Sequence, residues 1–337
     1  MRAIITGITG QDGSYLAEFL LSRGYEVHGA VRAASYPRYE RIQPILHRVR
    51  LHQADLLDQI SLIHLIEEVR PDEIYNLAGP SSPSWGWAQP VLCSDIIALG
   101  TIRLLEAVRI VDPNIRLFHA SSCDMYGRAV ESPQTERTAF LPTTPFGAAK
   151  LNAHWAAAAY RDKYGMKISC GILFDHESPR RGMAFPTRQI THAAARVKLG
   201  LQSTVVLDTL NTRRDRGFAG DFVRAFWMML QHPAPDDYVI ATGRPQCLED
   251  VCRYAFEAVN LDWRDFVRIK TVGAGSSGGP VVQGDASHAR RKLLWEPEVA
   301  FPDLIQMMVD ADVEQYSPKN RPVADILVDE QVRDHQS

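Results

Sequence analysis

The first half of the chain repeats one pattern of apolar and polar positions. Short apolar runs typical of buried strands alternate with longer segments whose apolar residues recur at helical spacing. This alternation predicts an α/β fold with a Rossmann-like doubly wound parallel sheet, because each helix returns the chain to start another parallel strand. The predicted strands are residues 3–6, 25–31, 50–56, 73–79, 117–120 and 167–174, and the predicted helices are residues 14–23, 57–69, 95–108 and 148–160.

A glycine-rich turn separates the first predicted strand from the first predicted helix. Such a turn lets the main chain approach a pyrophosphate, and the helix N-terminus adds N–H donors and a positive dipole. A glycine turn without a ligand is the alternative, but the strand before it and the helix after it favour a dinucleotide site. We therefore predict cofactor contacts at Gly7, Thr9, Gly10, Gln11, Asp12 and Gly13.

The carboxyl ends of the next strands are predicted to complete this cofactor site. Arg32 follows the second strand, where an arginine favours the 2′-phosphate of NADP and an acid would favour NAD. Arg32 therefore favours NADP as the cofactor, although a single surface arginine is often only a solvated charge. Asp55, beside Leu56, suits an adenine amino group. Leu77 and Ala78, at the carboxyl end of the fourth predicted strand, are expected close to the nicotinamide ribose.

A hydroxyl and a carboxylate follow the apolar run 117–120. Ser122, Cys123 and Asp124 are therefore predicted at the carboxyl end of a strand, where ligands of such sheets bind. We predict catalytic roles for these three residues. Local capping of a turn is the alternative for Asp124, because aspartate is favoured in turns.

The predicted helix after Pro145 carries Phe146 and Lys150 on one face, because residues four apart are neighbours on a helix. Lys150 is a further catalytic candidate and a candidate cofactor contact. A similar pair with Tyr at the first position is familiar from redox enzymes, in which the ammonium lowers the pKa of the phenol. Phe146 has no proton to exchange, so the usual base is missing.

Two polar segments in the second half are candidates for ligand binding. Residues 175–182 follow a strand and contain an arginine pair, although surface charge is the ordinary explanation of such a loop. Residues 212–217 form a basic turn that suits an anionic ligand. We predict substrate contacts at Ser81, Phe146, Asp175, Glu177, Arg188 and Arg214.

The length of 337 residues and the hydrophobic content of 45% predict two lobes with buried cores. We assign residues 1–175, with a returning segment near 217–243, to a dinucleotide-binding domain. Residues 176–216 and 244–337 are assigned to a smaller C-terminal α/β lobe that binds substrate.

Charge and cysteine content narrow the functional class. A net charge of −3 argues against a nucleic-acid or membrane-surface partner. No apolar run approaches the roughly 20 residues that span a bilayer, and the first residues enter a strand directly, so we expect no signal peptide and a cytoplasmic protein. Five cysteines without a CxxC pair indicate neither a disulfide framework nor a metal site.

Several motifs together resemble one enzyme family. The glycine turn and Ser14-Tyr15-Leu16, the stretch Phe174–Gly182 and the segment Val239–Gly243 closely resemble the GDP-mannose 4,6-dehydratases. These enzymes are a branch of the extended short-chain dehydrogenase/reductases, also called NAD-dependent epimerases/dehydratases. The likeness continues to residues 284–286 and 295–301, so it spans nearly the whole chain.

The resemblance implies a hydride cycle with a tightly bound, recycled NAD or NADP. Family members oxidise a sugar carbinol, eliminate water across C5–C6 and return the hydride to the same sugar. By position, Ser122 matches the hydroxyl that binds substrate, and Asp124 matches the acid that removes the C5 proton. Lys150 matches the cofactor-ribose lysine, and His176 and Arg181 match cofactor contacts.

The chain also departs from the pattern of this family. Phe146 stands for the family's Tyr, Asp124 for a longer Glu, Asp175 for an Asn and Arg216 for a Trp. Small neutral residues at 276–280 replace a stretch that holds nucleotide phosphates in the family. These changes put GDP-mannose in doubt as the substrate, and a nucleoside or another sugar nucleotide would explain the loss of a phosphate clamp.

The sequence thus predicts a hydro-lyase, an NAD(P)-dependent dehydratase of a sugar nucleotide or nucleoside, assembled as a homodimer or homotetramer. Two alternatives stay open. One is a catalytically silent dinucleotide-binding subunit with a regulatory or partner role, and the other is GDP-mannose 4,6-dehydratase itself. Without the phenol, the sequence offers Ser122 relaying to water, Asp124 acting twice, or Tyr126 as proton routes, although Tyr126 is equally suited to the core.

Overall fold

The computed structural model describes residues 1–34, 38–270 and 281–317. Within them the chain forms twelve strands and twelve α-helices. The strands are β1 (Arg2–Thr6), β2 (Glu26–Val31), β3 (Val49–Gln53), β4 (Glu73–Asn76), β5 (Arg116–Ser122), β6 (Ile168–Leu173), β7 (Asp175–Glu177), β8 (Val205–Leu207), β9 (Arg214–Phe218), β10 (Asp237–Ile240), β11 (Pro245–Gln246) and β12 (Val267–Ile269). The α-helices are α1 (Gln11–Ser22), α2 (Gln59–Val69), α3 (Pro83–Ala88), α4 (Pro90–Ser94), α5 (Gly100–Val111), α6 (Pro145–Tyr164), α7 (Pro186–Lys198), α8 (Ala219–Gln231), α9 (Leu248–Glu257), α10 (Trp263–Phe266), α11 (Ser287–Leu293) and α12 (Phe301–Tyr316).

Seven parallel strands form the central sheet, in the order β10-β6-β5-β4-β1-β2-β3. The chain reverses its direction of winding between β1 and β4, and ligands of such sheets bind in the crevice at the carboxyl ends of the strands near that point. The predicted Rossmann-like doubly wound sheet is confirmed. The carboxyl ends of β1, β4 and β5 carry Thr6, Asn76 and Ser122.

Both faces of this sheet are covered by helices, which explains why its strands are apolar on both sides. On one face, Leu16 and Leu20 of α1 and Phe226 of α8 belong to one buried cluster, in which Phe118 of β5 stacks on Phe226 at 4.3 Å between ring centroids. On the other face, α2 and α5 pack on the sheet, with Leu104 fully enclosed.

Polar residues at the helix ends explain where several helices begin. Asp58 caps α2 by accepting the main-chain N–H groups of Ile60 and Ser61, and Thr144 caps α6 by accepting that of Gly147. Pro145 is the first residue of α6, where its missing N–H costs nothing. Helix α1 differs, since its N-cap is Gly10 and no side chain caps it.

The chain divides into two compact units. The first comprises Met1–His176, Arg214–Pro245 and the described residues 281–298, and the second comprises Glu177–Arg213 and the described residues 246–270 and 299–317. The sequence pattern assigns residues 281–298 to the smaller lobe, whereas in the structure they cluster with the first unit because α11 packs against α8 and β10. Arg214 also falls in the first unit, on β9, which neighbours β7 in a short sheet.

The second unit contains both helices and strands. Helices α7, α9 and α12 pack against one another, and β8 pairs in parallel with β12. The buried ion pair of Arg188 with Asp312 joins α7 to α12. Among the described helices, none combines the length and the hydropathy that crossing a bilayer requires.

Candidate active site

The turn between β1 and α1 is shaped by its glycines. Gly7 adopts φ = +75°, a left-handed conformation that favours glycine. A Cβ on Gly13 would lie 2.6 Å from the Cα of Ile8, and one on Gly10 would lie 3.1 Å from the carbonyl oxygen of Gly7. The turn therefore brings bare main chain to the start of α1. This is the surface that a pyrophosphate requires, so these residues fit a dinucleotide.

His176 connects the end of β6 to this turn. Its Nε2 lies 2.9 Å from Oδ2 of Asp12, and its Nδ1 lies 2.7 Å from the carbonyl oxygen of Phe174. Both ring nitrogens thus face acceptors, and a protonated ring can donate to both. Gln11 donates its side-chain N–H to the carbonyl oxygen of His176 at 3.1 Å. The structure therefore brings together His176, Gln11 and Asp12, three predicted cofactor contacts.

The other predicted cofactor residues of the first unit lie at the same edge of the sheet. Leu77 and Ala78 both donate their main-chain N–H groups to Oγ1 of Thr6 at 3.1 Å, which ties the exit of β4 to β1. Asp55 follows β3 and accepts the N–H of Leu57 at 3.0 Å in a tight turn.

Two further predicted contacts lie beside these exits, since Arg32 is exposed directly after β2 and Leu56 is buried after β3. Arg41 was not predicted. Its Nη1 donates to the carbonyl oxygen of Thr9 at 3.4 Å, which places a cation against the glycine turn. Arg41 lies in a 3-10 helix, residues 40–48, and its contact with Thr9 spans 32 positions, so no local pattern in the sequence indicates it.

Ser122 and Asp124 form a short turn after β5. Oγ of Ser122 accepts the main-chain N–H of Asp124 at 3.1 Å and caps the 3-10 turn Cys123–Met125. The thiol of Cys123 is buried, and this burial raises its pKa well above the usual value, so the thiol keeps its proton. The predicted triplet of hydroxyl, thiol and carboxylate is therefore brought to one point of the sheet edge.

Arg214 links two carboxylates at this edge. Its Nε lies 2.5 Å from Oδ2 of Asp175, and its Nη2 lies 3.3 Å from Oδ1 of the same side chain. The same Nη2 lies 3.3 Å from Oδ1 of Asp124 and 3.7 Å from Sγ of Cys123. Asp175 raises the pKa of the guanidinium further above its usual value. Arg214 and Asp175 were predicted separately as substrate contacts, but their pairing was not predicted.

Lys150 reaches from α6 to the main chain of β5. Its Nζ donates to the carbonyl oxygen of Ala120 at 2.7 Å. Burial lowers the pKa of Lys150 to about 8, and the charges of Asp12 and Asp124 oppose this shift. Lys150 is therefore a cation close to losing its proton near neutral pH.

Phe146, also predicted as a substrate contact, is only 3% exposed. Its ring packs in an apolar cluster with Cys93, Ile97 and Ala149. The α-carbon of Gly86 approaches its main chain so closely that a Cβ there would lie 3.0 Å from the Phe146 nitrogen. The ring thus fills an apolar space beside Lys150 and brings no ionisable group to it.

Tyr126 is a core residue. Its hydroxyl donates to the carbonyl oxygen of Thr135 at 2.7 Å, and its ring packs against Phe140 and Phe174. Burial raises the pKa of its phenol far above the usual value. The core alternative is confirmed, and the buried Tyr126 phenol does not offer a proton route.

The other predicted contacts either pair with residues of the chain itself or are exposed. Their roles in ligand binding stay predictions. In the second unit, Arg181 lies 3.2 Å from Glu177, and Arg188 donates from Nη2 to Oδ1 of Asp312 at 2.5 Å. Ser81 is exposed in the loop after β4.

One group of side chains in the described residues has atoms placed as metal ligands could be, namely His154, Cys170 and Asp237. Arg161 occupies both carboxylate oxygens of Asp237, at 2.8 and 3.1 Å. A guanidinium at this position disfavours a second cation. We assign the group to the packing of α6 on the sheet.

The family assignment follows from a comparison with known proteins. The model of the family "GDP-mannose 4,6 dehydratase" matches residues 4–308. The chain belongs to this family. The resemblance read from the sequence motifs is confirmed, and family members are sugar-nucleotide dehydratases, which are hydro-lyases.

Curated relatives support this membership, and a solved structure supports the fold. The chain is 46% identical over 324 residues to GDP-mannose 4,6 dehydratase 2 of Arabidopsis thaliana, covering 93% of this chain and 87% of that protein. It is 41% identical over 340 residues to the human GDP-mannose 4,6 dehydratase, covering 93% and 91%. The fold matches the dTDP-glucose 4,6-dehydratase of Streptomyces venezuelae with a TM-score of 0.82 at 22% identity, covering 94% of this chain and 98% of that one.

Most of the predicted departures from the family pattern lie in the described residues. The replacement of a phosphate-binding stretch was predicted at residues 276–280, which lie outside the described residues. The described departures at Asp124, Phe146 and Asp175 all lie in the first unit, at the carboxyl edge of the sheet or beside Lys150. The chain therefore has the family's fold, and changed chemistry at the predicted active site stays a prediction.

Proposed function

We propose that this protein is an NAD(P)-dependent dehydratase of a sugar nucleotide or nucleoside that differs from GDP-mannose. Its reaction is transient oxidation of a sugar carbinol, elimination of water across C5–C6 and return of the hydride. The observation that carries this proposal is the position of Ser122 and Asp124 at the carboxyl end of β5, on the same edge of the sheet as the glycine turn. Lys150 contacts the main chain of β5 beside them.

The cofactor would be held by the glycine turn, by Lys150 and by the residues at the strand exits, including Arg32 and Asp55. The absence of side chains at Gly10 and Gly13 supports this fit. Arg32 and Arg41 supply positive charge at the edge where a 2′-phosphate would be recognised, which favours NADP over NAD. When bound, the nicotinamide supplies reversible oxidation of the sugar carbinol, so the cofactor is recycled.

The chain's own residues handle the protons. Asp124 accepts the proton from C5, and the adjacent Arg214 favours the ionised carboxylate at 3.3 Å. Ser122 orients the sugar hydroxyl. The buried Cys123 thiol retains its proton and would act as a weak donor to a leaving hydroxyl. The proton of the oxidised hydroxyl leaves through Ser122 and water or through Asp124, because Phe146 has no group that could accept it.

A catalytically silent dinucleotide-binding subunit is the second candidate. The specific observation in its favour is the buried, apolar setting of Phe146, where a proton acceptor is expected. Loss of a positioned base typically costs about 10²–10⁴-fold in rate. This cost reduces activity without abolishing it, and we therefore favour the enzyme. Dehydration of GDP-mannose itself is kept as an alternative reaction, since the named relatives are GDP-mannose dehydratases.

We further propose a homodimer or homotetramer that works in the cytoplasm on a small molecule, without nucleic acid or membrane. The five free cysteines, four of them buried, suit a reducing compartment.

The test is a substrate screen on the purified protein. Native mass spectrometry would first identify any dinucleotide that purifies with it. Nucleosides and sugar nucleotides, including GDP-mannose, would then be incubated with the protein and examined for loss of the mass of one water. We expect such a product without net consumption of dinucleotide. A protein that carries dinucleotide and converts no member of the panel would support the silent subunit.

A further inference from the structure

Asp175 and Arg214 form a close, two-point ion pair, and the sequence resemblance implies a neutral Asn at position 175 in the family. The contacts are Nε to Oδ2 at 2.5 Å and Nη2 to Oδ1 at 3.3 Å, the parallel geometry that matches a guanidinium to a carboxylate. An Asn offers one carbonyl oxygen and no charge, so it could not hold an arginine in this way. The aspartate therefore changes what Arg214 can do.

The charge balance at this point is negative. Arg214 contacts two carboxylates, Asp175 and Asp124, while the neighbouring Cys123 thiol is neutral. The three charged side chains sum to −1, whereas a neutral residue at position 175 would give zero. Phosphate oxygens are bound in proteins by arginines whose N–H donors face them. Here the donors of Nε and Nη2 face carboxylates of the chain itself.

Arg216 does not replace Arg214 in this respect. It lies two residues along β9, is 4% exposed, and donates from Nη1 to the carbonyl oxygen of Arg214 at 3.3 Å. This contact supports the strand that carries Arg214.

We propose that Asp175 is a specificity-determining residue. It holds Arg214 in an internal ion pair and so adapts this part of the substrate site to a neutral, hydroxyl-bearing group in place of an anionic one. This inference rests on the proposed function for the location of the substrate site, and it narrows the substrate class to molecules that present no phosphate to Arg214.

The experiment compares Asp175→Asn with the wild-type protein in calorimetric binding, on the holoprotein and without turnover. The probes are GDP against guanosine and UDP against uridine, so that the diphosphate effect is separated from the base. We expect Asp175→Asn to bind the diphosphates at least tenfold more tightly while nucleoside affinity changes less than threefold, because one charge-assisted phosphate contact becomes available. The gained affinity should weaken as salt is raised.

Three further variants make the result specific. Asp175→Asn combined with Arg214→Met should lose the gain, because the gain acts through Arg214. Glu106→Gln removes a carboxylate from the two-point pair with Arg109 elsewhere in the same unit, and should leave all four affinities unchanged. Asp175→Ser serves in place of Asp175→Asn if that variant does not fold.

An unchanged ratio of diphosphate to nucleoside affinity in a folded Asp175 variant would overturn the inference. An equal gain for GDP and guanosine would overturn it as well, since this would indicate a general loosening of the site. Because binding is measured, the outcome is separate from the substrate screen. A protein that dehydrates nothing can still show the predicted change in affinity, and an active dehydratase can fail to show it.

Discussion

The Nζ atom of Lys150 lies 5.9 Å from the ring centroid of Phe146. The ammonium thus faces an aromatic ring that has no hydroxyl to share a proton with it. One of its three N–H groups donates to the carbonyl oxygen of Ala120. Burial lowers the pKa of Lys150 to about 8, and this value sets a pH dependence that can be measured.

We predict that dinucleotide affinity falls as the pH rises above about 8. Lys150 is charged below this pH, and a bound dinucleotide, being anionic, stabilises the charged form, so the pKa in the complex lies above the pKa in the free protein. Between these two values binding takes up a proton, and affinity decreases by up to about tenfold per pH unit. Equilibrium titrations from pH 6.5 to 9.5 would measure this.

The matched control for this titration is Lys150→Met, which cannot be protonated. We expect it to bind more weakly at pH 7 and to show a flat profile through pH 8. A wild-type profile as flat as that of the variant would mean that Lys150 does not face the dinucleotide.

The second prediction concerns the glycine turn, because its glycines differ in how much space an added Cβ would have. A Cβ at Gly13 meets main-chain atoms at 2.6 and 2.9 Å, whereas a Cβ at Gly10 meets only one, at 3.1 Å. We expect Gly10→Val to fold and to lose dinucleotide binding, since its side chain takes the place of the pyrophosphate. Gly13→Ala should lose both binding and several degrees of melting temperature.

Thermal melts and quantification of the dinucleotide released on denaturation would separate these two effects. Glu67→Ala is the control, because Glu67 is exposed on α2 and belongs to none of the predicted contacts. Undiminished dinucleotide content in Gly10→Val would contradict the placement of the site.

The sequence predicts the sheet well because its periodicity is local. Predicted strand 3–6 is β1 (Arg2–Thr6), and the helix predicted at 14–23 begins earlier, at Gln11, since the glycine turn leads directly into it. The pair of Asp175 and Arg214 is different. These residues are 39 positions apart on β7 and β9, and only the pairing of those strands brings them together. No local pattern encodes such a pairing.

Helix boundaries show the same limit. The segment predicted as one helix over residues 95–108 contains a π-helical turn at Asp95–Leu99 before α5 begins at Gly100. A Cβ at Gly100 would lie 2.8 Å from Cβ of Leu56, so a tertiary contact with the exit of β3 favours glycine here. Apolar spacing alone gives no sign of this contact.

Asp124 is the subject of the third prediction. Asp124→Asn keeps the size of the side chain and an oxygen within reach of Arg214, and it removes the basic carboxylate. We expect fold and cofactor content to be retained, while turnover of the substrate found in the screen falls by about 10²–10⁴-fold. Exchange of the C5 hydrogen with deuterated solvent should disappear in parallel.

Glu106→Gln serves again as the matched control, since it removes a carboxylate from the two-point arginine pair within α5. If the Asp124→Asn variant converted substrate at a near-normal rate, Asp124 would be a turn residue that pairs with Arg214. The C5 proton would then need another acceptor.

The last prediction separates an adapted enzyme from a silenced one, and it concerns Phe146→Tyr. The ring is packed among Cys93, Ile97 and Ala149, so the added hydroxyl must either reach toward Lys150 or remain buried without a partner. In an enzyme adapted to another proton route, the hydroxyl brings no benefit and crowds a reshaped pocket, and we expect the rate to stay within about threefold or to fall. In a protein silenced by the loss of its base, the restored phenol beside Lys150 should recover GDP-mannose dehydration by orders of magnitude.

Wild type and Phe146→Tyr would be assayed together on GDP-mannose and on the nucleoside panel. We expect wild-type activity on a substrate other than GDP-mannose and no rescue by Tyr. An inert wild type whose Tyr variant converts GDP-mannose would contradict the proposed enzyme and establish the silent subunit.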